Sequence, residues 1–145
     1  MARIESALQR ACVGWFRLQH RSHAQLLFAV PNGGGRSRVE AAIMKGEGVL
    51  AGVADLIFLE ARGGYGSLCI EMKTKDGRQS KLQKEWQGIA EAAGNRYVVC
   101  RSFDEFKMAI ETYMSLAPSP GVKINAVEFE PTYMAKGGSI IKYSL

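Results

Sequence analysis

SLCIEMKTK, residues 67–75, decides how the chain is read. Leu68, Ile70 and Met72 alternate with Cys69, Glu71 and Lys73, the period of a strand whose two faces differ. The surroundings are apolar enough for a largely buried strand, yet one face carries a carboxylate and an ammonium two residues apart. A second isolated acid, Asp55, interrupts the preceding apolar run GVADLIFLEA, residues 52–61. Between the runs lies ARGGYG, a glycine-rich hairpin connection. A hairpin folded about Gly63 sets Asp55 opposite Glu71, and a slip of one residue still leaves the carboxylates within reach across adjacent strands.

Two carboxylates held together repel unless a proton, a cation or a metal relieves them. Oxygen ligands at the end of a sheet suit Mg2+ or Mn2+ better than zinc. A hard cation there polarises a phosphoryl oxygen, and a neighbouring Lys73 orients water or steadies developing charge. Phosphodiester hydrolysis fits that set best. Geometry alone leaves a second reading open, a cross-strand salt bridge from Lys73 to Glu71 or Asp55 on a solvated face.

The flanking chain supplies the remaining elements. Ile4, Leu8, Cys12, Trp15 and Phe16 trace the stripe of an amphipathic helix, with Glu5 at its edge. LLFAV, residues 26–30, is a short apolar strand closed by the turn cluster PNGGGRS, and residues 39–48 form a short helix ended by Gly46. Ser80 opens the next helix with Gln83 completing a capping box, and Gly94 stops it. Its predicted buried stripe is Leu82, Trp86, Ile89, Ala90 and Ala93. RYVVCR, residues 96–101, is a strand. A second capping box, Ser102 with Glu105, starts a helix that buries Phe106, Ile110 and Met114. The order is an α/β arrangement in which the hairpin supplies an antiparallel pair and the strand–helix–strand crossover a parallel one.

At 145 residues the chain holds one domain with a real core. Nineteen Lys and Arg against fourteen Asp and Glu give a net charge of +5, which favours a polyanionic partner. Three scattered cysteines without a CxxC argue against a disulfide framework and a zinc site. No secretory signal and no apolar run of roughly 20 residues is present, so a soluble intracellular protein without a membrane role is expected. PNGGGRSR lacks GxxxxGK[ST], which argues against a nucleotide cofactor. Arg36 and Arg38 in and beside that turn, with Lys45, Lys75, Arg78, Lys81 and Lys84, are candidate DNA-backbone contacts. The histidines, His20 and His23, read as surface residues; Trp15 and Trp86 read as core.

Three segments, GVLAGVADLIFLE, IEMKTKDGRQSKLQKEW and AGNRYVVCRSFDEF, resemble the virus-type replication-repair nuclease (VRR-NUC) family of the PD-(D/E)XK phosphodiesterase superfamily. The likeness spans about residues 1–115 and rests on D-x15-E-x-K followed by G-R-x-S-x-x-Q-x-x-W. It implies a restriction-endonuclease-like α-β-β-β-α-β core with a mixed central sheet flanked by helices, a nuclease domain over 1–116 and a C-terminal extension over 117–145 as a candidate dimerisation element. It further implies that Asp55, Glu71 and the Met72 carbonyl ligate the catalytic Mg2+, for which Mn2+ substitutes. By the same resemblance Lys73 would position or activate the attacking water, Gln83 would reach into the site, and Glu5 would be a ligand directly or through water. Gln83 is thus claimed by both a helix cap and the site, two roles that compete for one side chain. Ala54 stands where the family usually has proline. Small stand-alone members resemble homodimeric junction-resolving endonucleases, which implies branched DNA as partner and a phage or prophage protein in a bacterial cytoplasm. Alternating Val122/Ile124 and Val127/Phe129 suggest strand edges that want a partner. The alternatives are a monomeric nickase or flap nuclease, and a non-catalytic DNA-binding subunit.

Overall fold

The computed structural model describes residues 2–31, 37–120, 132–134 and 140–142. Helix α1 (Ala2–Gln19) and a 3-10 helix (Arg21–Leu26) lead into β1 (Leu27–Ala29). Helix α2 (Arg38–Gly46), β2 (Leu56–Phe58), β3 (Leu68–Met72), α3 (Lys81–Ala92), β4 (Arg96–Cys100) and α4 (Phe103–Met114) follow, then β5 (Thr132–Met134) and β6 (Ile140–Lys142). The sheet order is β1-β2-β3-β4; the first two pairings are antiparallel and β3–β4 is parallel. This is the expected mixed α/β sheet with flanking helices. Strands β5 and β6 form a separate antiparallel pair.

Leu56 faces Ile70 and Phe58 faces Leu68, the register that the Gly63 pivot requires. At the tip, Gly63 (φ 58°) and Gly64 (φ 85°) take the two left-handed positions of a tight turn, and Arg62 and Tyr65 exchange backbone hydrogen bonds across it. The turn is one residue out of step with the strands, and the irregular stretch between them absorbs the difference. Residues after α4 run back along this tip: Gly63 N–H donates to the Ala117 carbonyl (2.9 Å) and Ser119 N–H to the Ala61 carbonyl (3.1 Å).

The pleat divides the core in two. Leu68, Ile70 and Met72 join Leu56, Phe58, Cys12, Phe16, Phe106 and Ile110 under α1 and α4. On the opposite face Cys69, Ala54 and Tyr97 form a smaller cluster against Trp86 of α3. Ala54, in the family's usual proline position, is fully buried there.

Three helical expectations change. In α3, Leu82 (52% exposed), Ile89 (67%) and Ala93 face solvent, while Gln83, Trp86, Gln87 and Ala90 turn toward the sheet. The small second face has little apolar area to cover, and polar side chains from the sheet side need partners from this helix. Ile4 is also exposed, because α1 overhangs the core by its first turns. At α4, Ser102 Oγ accepts from Glu105 N–H, but the Glu105 carboxylate accepts from Arg101 N–H (2.6 Å), so the second capping box is half formed. A full box forms at Ser37 with Glu40 instead, starting α2.

Gly52 joins the loop before Asp55 to the start of α3. Its φ is +90°, and a Cβ there meets the Leu82 carbonyl oxygen at 2.7 Å. Gly48, at φ +103°, has open space around it. Gly52→Ala is therefore expected to cost about 2 kcal/mol or more, against about 1 for Gly48→Ala, in urea unfolding. Equal costs would contradict the backbone contact.

Candidate metal and catalytic site

Every residue of β3 is buried, so Glu71, 1% exposed, has its charge inside the protein. An ion placed there needs donors, and the neighbouring elements each supply one. Gln83 Nε2 on α3 donates to Glu71 Oε1 (2.9 Å), and Tyr97 Oη on β4 donates to Oε2 (3.3 Å). Lys73 Nζ, one pleat along, lies 3.7 Å from Oε1. Across the hairpin, Asp55 Oδ2 accepts from Met72 N–H (2.7 Å), which fixes that carboxylate at the end of β3.

Gln83 reconciles the two roles that compete for it. Its Oε1 accepts from Ser80 N–H (2.8 Å) to complete the capping box, while its Nε2 faces Glu71. A glutamine has an acceptor at one end of its amide and donors at the other. Glutamate, equally good in a capping box, has no donor to offer when ionised.

Burial, then the charge of Asp55, then a hydrogen bond with it push Glu71 up to about 8, against the smaller pull of Lys73 and Tyr97. Two carboxylates so close together are the kind of oxygen donor set that would suit a hard divalent cation. Among the described residues no three His, Cys, Asp or Glu side chains gather into a complete cation cage. Asp55 and Glu71, with the Met72 carbonyl, are the residues that would hold a divalent ion here. Glu5 lines the same cleft of about 500 Å3 as Asp55 and Met72, from the α1 side, without joining the pair. Burial pushes the Cys12 thiol up to about 11 and Cys100 to about 12, so neither offers a thiolate at neutral pH.

The expected DNA contacts are spread more widely. Lys75 and Arg78 lie exposed in the loop just after Lys73. Lys84 and Lys81 are exposed on α3, with Lys81 Nζ 3.8 Å from Glu85. Arg38 and Lys45 stand exposed at the two ends of α2. Arg36, like the Val122/Ile124 and Val127/Phe129 pairs, lies outside the described residues.

Three polar residues of the site escape sequence reading. Tyr97 is 3% exposed and its hydroxyl needs a partner; Gln79 Nε2 donates to it (3.2 Å) and to Gln87 Oε1 (3.0 Å). A tyrosine heading the apolar run of Val98, Val99 and Cys100 was the available signal. Arg101 Nη1 donates to the carbonyls of Thr74 (3.0 Å) and Gly77, tying down the loop that follows Lys73. Nothing local in the sequence marks it.

The raised Glu71 has a signed consequence for metal-free protein. Below about pH 4.5 both folded and unfolded states hold the proton, so neither pays for a charge. From there to about 8 the unfolded chain ionises first, and stability contributed at this residue falls as pH rises. Glu71→Gln mimics the protonated acid, so in EDTA its stability relative to wild type is expected to improve by up to a few kcal/mol between pH 5 and pH 9. Denaturant titrations at the two pH values check this; a constant difference would contradict it.

No family model matches the chain and no curated protein matches it. Among solved structures, a protein named "VRR_NUC domain protein" superposes with a TM-score of 0.70 at 29% identity, covering 83% of this chain and 96% of its own. The mixed four-stranded sheet, the D-x15-E-x-K spacing across its hairpin and this likeness all support the resemblance to the VRR-NUC family.

Proposed function

We propose that the protein is a metal-dependent, structure-selective DNA endonuclease that works as a homodimer on branched DNA, in the manner of a junction resolvase. One observation carries the reading. Asp55 and Glu71 are joined across β2 and β3, with Lys73 and Gln83 on Glu71 and a cleft opening beside them. A buried salt bridge would need one acid and one base; here a second acid has been added, which raises the cost of ionisation unless a cation arrives.

Asp55, Glu71 and the Met72 carbonyl are the residues that would hold Mg2+ or Mn2+, with Glu5 reached directly or through water. Such an ion supplies charge neutralisation at the scissile phosphate and a more acidic water. The chain's own contribution is placement. The Gln83 amide fixes the rotamer of Glu71 by holding Oε1. Lys73, 13% exposed at its side chain, keeps its ammonium beside that oxygen, where it orients water and faces the charge that grows on the phosphate. Tyr97 holds the far side of the Glu71 carboxylate, and Gln79 in turn donates to the tyrosine hydroxyl. The basic residues after Lys73, in the loop pinned by Arg101, meet the DNA backbone.

The dimer is supported by α2, which buries none of its residues and leaves Val39 (69%) and Ile43 (54%) exposed on one face. Two copies also give two cutting centres for the two strands of a junction.

Labelled four-way junction, flap and linear duplex, each with Mg2+, Mn2+ or EDTA, test the reading. Wild type is expected to cut the junction by paired incisions in either metal and nothing in EDTA. Glu71→Gln and Lys73→Ala are expected to bind DNA yet cut at least 100-fold more slowly. No cleavage of any substrate would overturn the enzyme; cutting of one strand only, with a monomer in sedimentation, would replace the resolvase with a nickase.

A further inference from the structure

The cleft beside Asp55 has a wall that neither the motif nor the expected DNA contacts include. Ser6, Arg10, Gly14 and Arg17 line it from α1 at the spacing of one helix face, turned away from the face that Cys12 and Phe16 bury in the core. Both arginines are exposed, and among the described residues neither has an ion-pair or hydrogen-bond partner. They stand two turns apart, about 10 Å along the axis, a span that covers about three phosphates of one DNA strand. Arg17 lies in the last turn of α1, where any cation is favoured by the helix dipole. Arg10, in mid-helix, has no such reason to be there.

Gly14 lies between them. Glycine is unfavourable in a helix interior relative to alanine. No neighbour explains it: a Cβ built at Gly14 finds nothing within 4 Å. An absent side chain between two free guanidinium groups leaves a floor on which a sugar–phosphate backbone can lie close to the helix, with an arginine on each side to take a phosphate by paired N–H donors.

We propose that this face of α1 is a backbone-phosphate seat, in which Arg10 and Arg17 clamp the DNA strand that runs through the cleft past Asp55 and Gly14 lets that strand approach. The inference rests on the nuclease reading for its substrate, but it is a statement about binding and is tested without cleavage.

The experiment measures fluorescence anisotropy of a labelled 20-base-pair duplex and of a labelled single strand, in EDTA, from about 50 to 300 mM KCl. Wild type is compared with R10Q/R17Q, R10K/R17K, G14L and K107Q, the last an exposed cation on α4 outside the cleft lining. Circular dichroism verifies that each is folded; the open space at Gly14 and the exposure of both arginines make this the expectation. R10Q/R17Q is expected to bind at least tenfold more weakly at about 100 mM salt, with the slope of log affinity against log salt shallower by about 1.4 to 1.8. R10K/R17K is expected to keep most of that slope, G14L to lose at least fivefold in affinity, and K107Q to stay within twofold of wild type. Binding by R10Q/R17Q no weaker than by K107Q, an unchanged salt slope, or no DNA binding by wild type would each overturn the seat. Wild type that binds with these losses in the variants yet cuts no substrate would leave the seat standing and remove the nuclease instead.

Discussion

Two carboxylates, Asp55 and Glu71, are held within hydrogen-bonding reach at the end of a buried hairpin, and the rest of the site answers to that arrangement. Neither can be moved cheaply. Asp55 is fixed by the backbone N–H of Met72, and Glu71 is the fourth residue of a strand whose every position is covered. The donors around them come from four separate places: the β3 backbone, Lys73, α3 through Gln83, and β4 through Tyr97. Such convergence stabilises only while each member is in place, because a buried acid that loses a donor keeps the cost of desolvation. The parallel β3–β4 pairing and the placement of α3 across the second face have a clear physical purpose here. They bring a tyrosine and a glutamine to one carboxylate.

The sheet divides labour between its faces. Under α1 and α4 the packing is aromatic and aliphatic, with Phe16, Phe58 and Phe106 fully buried. Against α3 the apolar cluster is small; Gln83 and Gln87 occupy places that a purely structural helix would give to leucine, and Gln79 joins them from the loop before the helix. The large core fixes the strands, while the polar face accepts poorer burial in return for oriented donors. That division also accounts for Leu82 and Ile89 in solvent: the helix is rotated to present the Gln83 amide to Glu71, and its leucine and isoleucine turn away.

Much of this was legible in the residues. The alternation of 67–75 and the glycines of the hairpin specified both the strand faces and the register that sets Asp55 against Glu71, because side-chain direction in a strand has period two and the turn limits the slip. Gln83 was legible twice, and what looked like competition was one amide using both ends. The α3 stripe was misread because hydrophobic spacing counts Leu82 and Ile89 as inward, whereas the demand for hydrogen bonds from a buried acid outweighed their burial. Tyr97, Gln79 and Arg101 were missed for a different reason. Their roles exist only once β4 lies parallel to β3 and the loop after Lys73 folds back, contacts separated by more than twenty residues for Tyr97 with Glu71 and for Arg101 with Thr74.

The central claim is that the Asp55–Glu71 pair is a cation site and not an internal salt bridge with Lys73. Crystals grown with Mn2+ and measured at a wavelength that reveals manganese test it most directly. The account predicts an anomalous peak in contact with both carboxylates, with Gln83 still bound to Glu71. Crystals from Mn2+ concentrations that support cleavage, showing no peak there and Glu71 still against Lys73, would contradict it.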